Sequence, residues 1–151
     1  MQDFVHLHVH TQYSLLDGQA SVARLVDKAM QNGMKGIAVT DHGNMFGIKE
    51  FTNYVNKKNS GPKGEVKDLK KRIAGIEAGT IECADKEAEI AACKAKIVEA
   101  ENKLFKPVIG CEMYVARRTM DLKEGKPDQS GYHLIVLAKN EKGYHNLIKL
   151  V

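Results

Sequence analysis

Hydrophobic and polar residues alternate strictly at the start of the chain. Over residues 4–10, every second position is apolar, and the positions between them are histidines. A repeat of two residues predicts a β-strand with an apolar back and a front lined by histidine rings. Residues 11–20 predict a loop that is broken at Gly18. The apolar positions are Val5, Leu7 and Val9, and the histidines are His6, His8 and His10.

Two segments with the repeat of a helix follow, and a short apolar strand lies between them. Ser21 is placed to cap the first helix, and Gly33 is placed to end it. Residues 36–40 predict a buried strand, and the second helix is expected to end at the Ser-Gly-Pro of residues 60–62. The apolar faces consist of Val22, Leu25, Val26, Ala29 and Met30 in the first helix and Ile48, Phe51 and Val55 in the second.

The order of strand, helix, strand and helix predicts right-handed βαβ units and a parallel sheet, which is an α/β fold. The pattern resumes with a strand at 108–116, a polar loop at 117–131 and a buried strand at 132–138. Asn140 is placed to cap a last helix. That helix carries Tyr144, Leu147, Ile148 and Val151 on one face.

Residues 63–105 interrupt this order with two narrow apolar seams on highly charged segments. Each seam steps by three and four residues, as in helices that pack against each other. Gly79 and residues 83–85 separate the seams, so the segment predicts an antiparallel helical hairpin inserted into the domain. Charges of both signs are interspersed along it, which favours a solvated face over a DNA-binding role. The seams are Val66, Leu69, Ile73 and Ile76, then Ile90, Cys93, Ile97, Ala100 and Leu104.

Composition narrows the class of protein. The 151 residues suffice for one domain with a core, and the net charge of +4 is spread along the chain, so no stand-alone nucleic-acid patch is predicted. Cys83, Cys93 and Cys111 lack CxxC spacing, which argues against a disulfide framework and a zinc finger. The first residues carry neither a basic stretch nor a long apolar run. We therefore expect a cytoplasmic protein without a signal peptide or membrane span.

Side chains that bind metal ions recur at the predicted strands. His8 and His10 lie two positions apart on one strand face, so their imidazoles can converge on one ion or bracket a pair. Parallel βα folds bring the carboxyl ends of their strands to one edge. Each further residue alone has an ordinary explanation as a turn, cap, exposed or core residue, but their common placement favours a metal site. These further residues are Asp17, Asp41, His42, Glu112 and His133.

The donor types indicate the metal and the chemistry. Mixed nitrogen and oxygen ligands suit Zn²⁺, Mn²⁺ or iron better than Mg²⁺ or Ca²⁺. The candidates outnumber the ligands that one zinc ion takes, so we expect two or three divalent ions, most readily Zn²⁺ or Mn²⁺. Such ions activate water near neutral pH and neutralise a phosphate ester, which predicts phosphoester hydrolysis without a serine or cysteine nucleophile.

Four other residues receive lesser roles. His6 lies deeper in the predicted strand and is expected to support the site or to pack. His145, in the last helix, is expected at the surface. Arg117 and Arg118 flank the loop after the Glu112 strand and are candidates for gripping phosphate.

Four short motifs resemble the successive motifs of the PHP (polymerase and histidinol phosphatase) superfamily. Three longer stretches, at 4–18, 40–47 and 132–144, are similar to one branch, the PHP domain at the N-terminus of bacterial DNA polymerase III alpha subunits. The resemblance covers nearly all of the chain except residues 60–105. The short motifs are His8-Val9-His10-Thr11, Thr40-Asp41-His42, Gly110-Cys111-Glu112 and His133.

The resemblance implies that residues 1–151 form the N-terminal part of a PHP domain, a partial, distorted (β/α)7 barrel with a metal cluster at the carboxyl ends of its strands. It implies a metal-dependent phosphoesterase of the 3′–5′ exonuclease type within a DNA-directed DNA polymerase, a nucleotidyltransferase of DNA replication. Catalysis is assigned to Asp41 and His42, with Asp41 orienting its neighbours. The implied ligands are His8, His10, Asp17, His42, Glu112 and His133.

The chain departs from the family at three points. His6 stands where stand-alone members commonly carry Asp, residues 63–105 are extra, and later ligand motifs would lie beyond Val151. We therefore expect a fragment that is inactive by itself and can self-associate through exposed strand edges. Implied partners are primer–template DNA, a proofreading subunit and a sliding clamp. Two alternatives stay open: a stand-alone PHP phosphatase acting on a small phosphate ester, and a non-catalytic, metal-stabilised docking scaffold.

Overall fold

The structure, a computed structural model, describes residues 4–151. Within this range the chain forms a mixed α/β structure, and none of the described helices is long and apolar enough to cross a membrane. The elements are α1 (Val22–Gln31), β1 (Gly36–Val39), α2 (Ile48–Lys58), α3 (Ser60–Glu77), α4 (Lys86–Asn102), β2 (Lys106–Val115), β3 (Tyr132–Leu137) and α5 (Glu141–Leu150), with a 3-10 turn at Lys126–Asp128.

The chain divides into two compact units, each with its own buried residues. The first unit combines the residues up to Tyr54 with Lys106–Val151, and the second comprises Val55–Phe105. The first unit contains the described strands and the candidate site. The second unit is helical.

The strands of the first unit form one sheet in the order β1-β2-β3. β1 and β2 are parallel, with Val39 opposite Ile109, and all four residues of β1 are buried. β2 and β3 are antiparallel, with Tyr114 opposite His133. The prediction of a wholly parallel sheet is therefore wrong for β3. Parallel neighbours need a long crossover, usually a helix, whereas the segment between β2 and β3 carries a 3-10 turn of three residues and returns directly.

The predicted strand at residues 4–10 is also wrong, because this segment forms no regular ladder. It follows β1 through two backbone bonds, from Ala38 N–H to the His6 carbonyl at 2.9 Å and from Thr40 N–H to the Val9 carbonyl at 2.9 Å. The acceptors are three residues apart and the donors are two apart. An extra residue on one side breaks the regular repeat of a strand pair. Leu7, predicted on the apolar back, is half exposed.

The predicted helices of the first unit and their caps are confirmed. The Ser21 hydroxyl accepts a hydrogen bond from Arg24 N–H at the start of α1, and Gly33 follows its end with a φ of 74°. The Asn140 side chain accepts from Gly143 N–H at 2.9 Å at the start of α5. Leu147 is the buried residue of the face predicted for α5, while Ile148 and Val151 are exposed.

Besides the last residues of α2, the second unit contains α3 and α4, in the segment where two helices were predicted. α3 begins at Ser60, so the expected break at residues 60–62 ends α2 and at once opens the next helix. Proline is tolerated in a first turn because its missing N–H would have no helical partner there. Gly79 follows the end of α3 with a φ of 73°, and Asp85 caps α4 through Ala88 N–H.

The two helices run in opposite directions and pack against each other. Arg72 of α3 bonds Glu89 near the start of α4, while Asn59, just before α3, bonds Phe105, just after α4. Of the predicted seam positions, Ile76, Cys93, Ile97 and Ala100 are buried, and Val66, Leu69, Ile73, Ile90 and Leu104 are partly buried.

The buried Asn59 side chain gives a test of the helical unit. Its amide donates to the Phe105 carbonyl at 2.8 Å and its amide oxygen accepts from Phe105 N–H at 2.9 Å. Asn59→Ala leaves both backbone groups without these partners, so we expect a loss of about 2 kcal/mol in the free energy of unfolding. The exposed Asn56→Ala should cost under about 0.5 kcal/mol in the same denaturant titration. Equal losses for the two variants would contradict the assigned role.

Candidate metal centre

Glu112 lies at the centre of the candidate site and is fixed there by the pairing of β1 and β2. Beyond the end of β1, Glu112 N–H donates to the Asp41 carbonyl at 3.1 Å and Gly43 N–H donates to the Glu112 carbonyl at 2.9 Å. These bonds form an isolated parallel bridge between His42 and Glu112. The sheet thus holds the Glu112 side chain beside the loop that follows β1, where it is 4% exposed.

Rings from three histidines surround the Glu112 carboxylate. His8 Nε2 and His10 Nε2 lie 2.7 and 2.5 Å from Glu112 Oε2. His133 Nδ1 lies 2.5 Å from the other oxygen, Oε1. The antiparallel pairing of β2 and β3 explains the contact between His133 and Glu112. It places the start of β3, where His133 lies, next to the end of β2.

These contacts set the charge of Glu112. Burial by itself raises the pKa of a carboxyl group, but hydrogen bonds from His8, His10 and His133 outweigh it and lower the pKa of Glu112 to about 2 from its ordinary value of 4.5. Glu112 is therefore an anion at neutral pH, although it is almost fully buried.

A second histidine–carboxylate pair stands beside the first cluster. His42 Nδ1 lies 2.6 Å from Asp17 Oδ2, and the His42 ring lies between its neighbours, with centroids 5.7 Å from His10 and 4.6 Å from His133. The other ring nitrogen, Nε2, is buried and has no hydrogen-bond partner among the described residues. A proton on Nδ1 facing Asp17 leaves a lone pair on Nε2.

The structure brings all of the predicted ligand residues into one place. They form three overlapping groups, and within each group the candidate ligand atoms lie within 4.8 Å of one another. His10, His42 and Glu112 each belong to two groups, so the groups form one continuous cluster. The groups are His8, His10 and Glu112; His10, Asp17 and His42; and His42, Glu112 and His133.

Asp41, predicted to take part in catalysis, lies behind the cluster and belongs to none of the three groups found among the described residues. Its buried carboxylate accepts from Thr11 N–H at 2.6 Å and from the Thr11 and Ser14 hydroxyls at 2.9 Å. The Ser14 oxygen in turn accepts from His42 N–H at 2.9 Å. Asp41 therefore holds the 11–14 turn against the backbone of His42. That it orients its neighbours for catalysis stays a prediction.

Sequence reasoning missed Thr11, Ser14 and Tyr114. Tyr114 lies two residues after Glu112 on the same face of β2, and its ring centroid is 4.8 Å from His42 and 5.2 Å from His133. The repeat of two along β2 was the signal that could have revealed it. Thr11 stands in the His8-Val9-His10-Thr11 motif but was given no role there, and Ser14 gave no signal, because short hydroxyl residues are common in any loop.

The expectation that His6, His8 and His10 share one face is wrong. His6 lines a small cavity with Ala29, Met34 and Ile37, and its ring meets Phe4 edge to face. The irregular backbone of residues 4–10 separates it from the two histidines that contact Glu112. His6 thus has the packing role that was one of its two expected roles.

The two arginines have partners of their own. Arg118 bonds both Asp128 and Glu124, and these carboxylates raise the pKa of Arg118 while Arg118 lowers the pKa of Asp128. The Arg118 guanidinium is therefore already paired with carboxylates of the 116–131 loop. Arg117 donates to the Ser130 carbonyl at 2.9 Å and lies over the Tyr132 ring. His145 is exposed on α5, as expected, 3.8 Å from Glu141.

A carboxylate among histidine rings at the end of a parallel strand pair defines a candidate metal-dependent site. The model of the PHP domain matches residues 6–97 and 88–151, which together take in nearly the whole chain. The chain therefore belongs to the PHP domain family.

Curated proteins of similar sequence support the same family assignment. The chain is similar to the DNA polymerase III subunit alpha of Borreliella burgdorferi, at 39% identity over 150 residues, and of Treponema pallidum, at 38% over 148 residues. It is 32% identical over 155 residues to the same subunit of Aquifex aeolicus. The first two matches cover 97% of this chain and 9% of the relative, so the chain spans about a tenth of the relatives' length.

The low pKa of Glu112 predicts acid sensitivity of the metal-free chain. A carboxyl group with a folded-state pKa of about 2 and an ordinary value of 4.5 stabilises the fold above pH 4.5, and this contribution is lost as the pH falls towards 2. We expect its loss to be on the order of 3 kcal/mol. Glu112→Gln should remove most of this pH dependence in denaturant titrations between pH 6 and about 2.5. Glu99→Gln, at an exposed residue, should keep this pH dependence. A loss of stability at acid pH that is unchanged in Glu112→Gln would refute the assignment.

Proposed function

We propose that this chain is the N-terminal part of the PHP domain of a bacterial DNA polymerase III alpha subunit. The family match and the 39% identity to the Borreliella subunit support this proposal. In it, the sheet and its helices are the first part of a distorted (β/α)7 barrel, and residues 63–105 are a helical hairpin inserted into that barrel. DNA synthesis by nucleotidyl transfer belongs to the rest of the longer protein.

The proposed cofactor is a cluster of two or three divalent ions, with Zn²⁺ or Mn²⁺ as the best candidates. The donor set fits such ions, because it combines imidazole nitrogens with carboxylate oxygens in one cluster. The buried, unpartnered Nε2 of His42 also fits, because an imidazole lone pair in that position gains a partner when a cation binds. The residues that would hold the ions are His8, His10, Asp17, His42, Glu112 and His133.

The proposed reaction is hydrolysis of a phosphodiester bond at a DNA 3′ end. Divalent ions, when bound, supply an activated water and neutralise charge on the phosphate. The single observation that carries the proposal is the Glu112 carboxylate surrounded by three histidine rings next to the Asp17–His42 pair. The three groups contain no cysteine.

The chain's own residues prepare this site in three ways. The hydrogen bonds from His8, His10 and His133 offset the effect of burial on the pKa of Glu112, so the carboxylate is ionised at neutral pH and available as a ligand. Asp17 faces Nδ1 of His42 and so fixes which ring nitrogen carries the proton. Asp41 acts through Thr11 and Ser14, which hold the loop that carries Asp17.

The partners follow from the parent protein and are part of the proposal. Primer–template DNA would be the substrate, and a proofreading subunit and a sliding clamp would bind elsewhere on the longer chain. A stand-alone PHP phosphatase is less consistent with the relatives named above, which are all polymerase subunits. A nuclease assay of the full-length polymerase subunit distinguishes a nuclease from a metal-stabilised scaffold without activity.

Metal uptake by the 151-residue chain is the first test. We expect isothermal titration with Zn²⁺ or Mn²⁺ to give a stoichiometry above one, checked by elemental analysis. His10→Ala should weaken binding at least about tenfold, because His10 belongs to two of the three groups. His145→Ala removes an exposed histidine of α5 and should leave binding unchanged. Equal effects of the two substitutions would argue against the assigned site.

Nuclease activity of the full-length polymerase subunit is the second test. With Mn²⁺ or Zn²⁺ and a mismatched primer–template, we expect release of 3′-terminal nucleotides. His10→Ala should abolish this release and leave primer extension intact, because the synthesis site lies elsewhere on the protein. Absence of release by the wild-type subunit, combined with normal metal uptake, would favour the scaffold.

A further inference from the structure

Large apolar side chains are exposed beside the candidate metal centre. Leu15, Leu16 and Phe46 are 83%, 106% and 77% exposed. All three line a cavity of about 570 Å³, which Tyr114 also lines. Single exposed apolar residues are ordinary, but several around one cavity indicate a binding surface.

This cavity is continuous with the candidate metal centre. Asp17 and His42, which form one of its histidine–carboxylate pairs, line the same cavity as Phe46 and Leu16. An occupant therefore meets apolar surface on one side and the metal-binding residues on the other.

The walls of the cavity are held by hydrogen bonds. The Asn44 amide donates to the Tyr13 and His42 carbonyls, both at 3.1 Å, and so ties the 11–17 loop to the loop after β1. The Asn44 side-chain oxygen accepts from Phe46 N–H at 3.1 Å and fixes the backbone that carries the Phe46 ring. The cavity is thus built before any ligand enters.

Leu16 has a backbone conformation that leucine seldom adopts, with a φ of 74°. The Ser14 carbonyl imposes it by accepting from Asp17 N–H at 3.1 Å and from Gly18 N–H at 2.8 Å. The resulting turn directs the Asp17 carboxylate to His42 and exposes the Leu16 side chain fully. Strain of this kind persists where a site requires it.

Gly43 allows the Tyr114 ring, which also lines the cavity, to lie close to the loop after β1. Gly43 has a φ of 64°, and a Cβ atom there would come within 3.0 Å of the Tyr114 ring. The Tyr114 ring, 60% exposed, thereby lies close to the loop after β1 and 4.8 Å from the His42 ring.

We propose that this cavity holds the base of an unpaired terminal nucleotide, with Phe46 as the residue on which the base stacks and with the phosphate at the metal centre. The inference rests on the proposed function and adds to it the means by which an unpaired end is selected. A nucleotide has a flat apolar base and an anionic phosphate, which match the two parts of the cavity. A base in a duplex is already stacked and paired, whereas a frayed or mismatched end is free to enter.

The surroundings of Phe46 favour recognition of any base. Aromatic side chains stack on every base without regard to sequence. The large exposed apolar and aromatic residues of the cavity wall are Leu15, Leu16, Phe46 and Tyr114, which offer contact area to any base. The amides of Gln12 and Asn44 also line the cavity.

The test compares two ligands that differ in the base. Deoxyadenosine 5′-monophosphate and 2-deoxyribose 5-phosphate are titrated calorimetrically into the 151-residue chain loaded with Mn²⁺. We expect the nucleotide to bind about fivefold tighter or more. Phe46→Ala should remove this preference by weakening nucleotide binding alone, and Phe46→Trp should retain it. Phe4→Ala, at an exposed phenylalanine that does not line the cavity, should behave as wild type.

The outcomes separate this inference from the proposed function. Equal affinity of the two ligands for the wild-type chain, or an equal loss for both in Phe46→Ala, overturns the base pocket while metal uptake stands. Failure of the wild-type chain to bind Mn²⁺ in a preceding titration overturns the proposed function and this inference with it. Circular dichroism of each variant verifies that the substituted chains are folded.

Discussion

The buried charge of Glu112 is the constraint on which the rest of the site depends. Removing a carboxylate from water is costly unless hydrogen bonds replace the lost solvation. Here the replacement comes from the rings of His8, His10 and His133, which reach one carboxylate from two separate segments. The sheet, the segment before α1 and the antiparallel β3 must all be in place for this environment to exist. Fold and site are therefore coupled through one side chain.

A second layer of contacts fixes the loops rather than the ligands. The Asp41 carboxylate accepts hydrogen bonds from the Thr11 and Ser14 hydroxyls, and the Asn44 amide donates to the Tyr13 and His42 carbonyls. Both residues lie in the loop after β1, so the loop that leaves a wholly buried strand organises the approach to the cluster. Support of this kind holds the candidate ligand residues close to one another before any ion binds.

Sequence reasoning succeeded where one local interaction decides the structure. Ser21, Gly33 and Asn140 bound their helices as predicted, because caps depend on near neighbours. It failed where pairing between distant segments decides. The direction of β3 depends on the return path of the 116–131 loop, and the irregular course of residues 4–10 depends on how His6 and Val9 bond β1. The candidate ligand residues were predicted because imidazole and carboxylate side chains fall at several successive strand ends, whereas the sequence predicted no role for the hydroxyls of Thr11 and Ser14.

The bonds between Asn59 and Phe105 bear on how this chain can change over evolution. They join Asn59, directly before α3, to Phe105, three residues after the end of α4, so the two ends of the helical unit are linked by its own contacts. Whole turns can be gained or lost at the far end, around Gly79, while the spacing of the two residues at the base stays fixed. Length variation among homologous chains should therefore concentrate at that tip, where it costs the least packing.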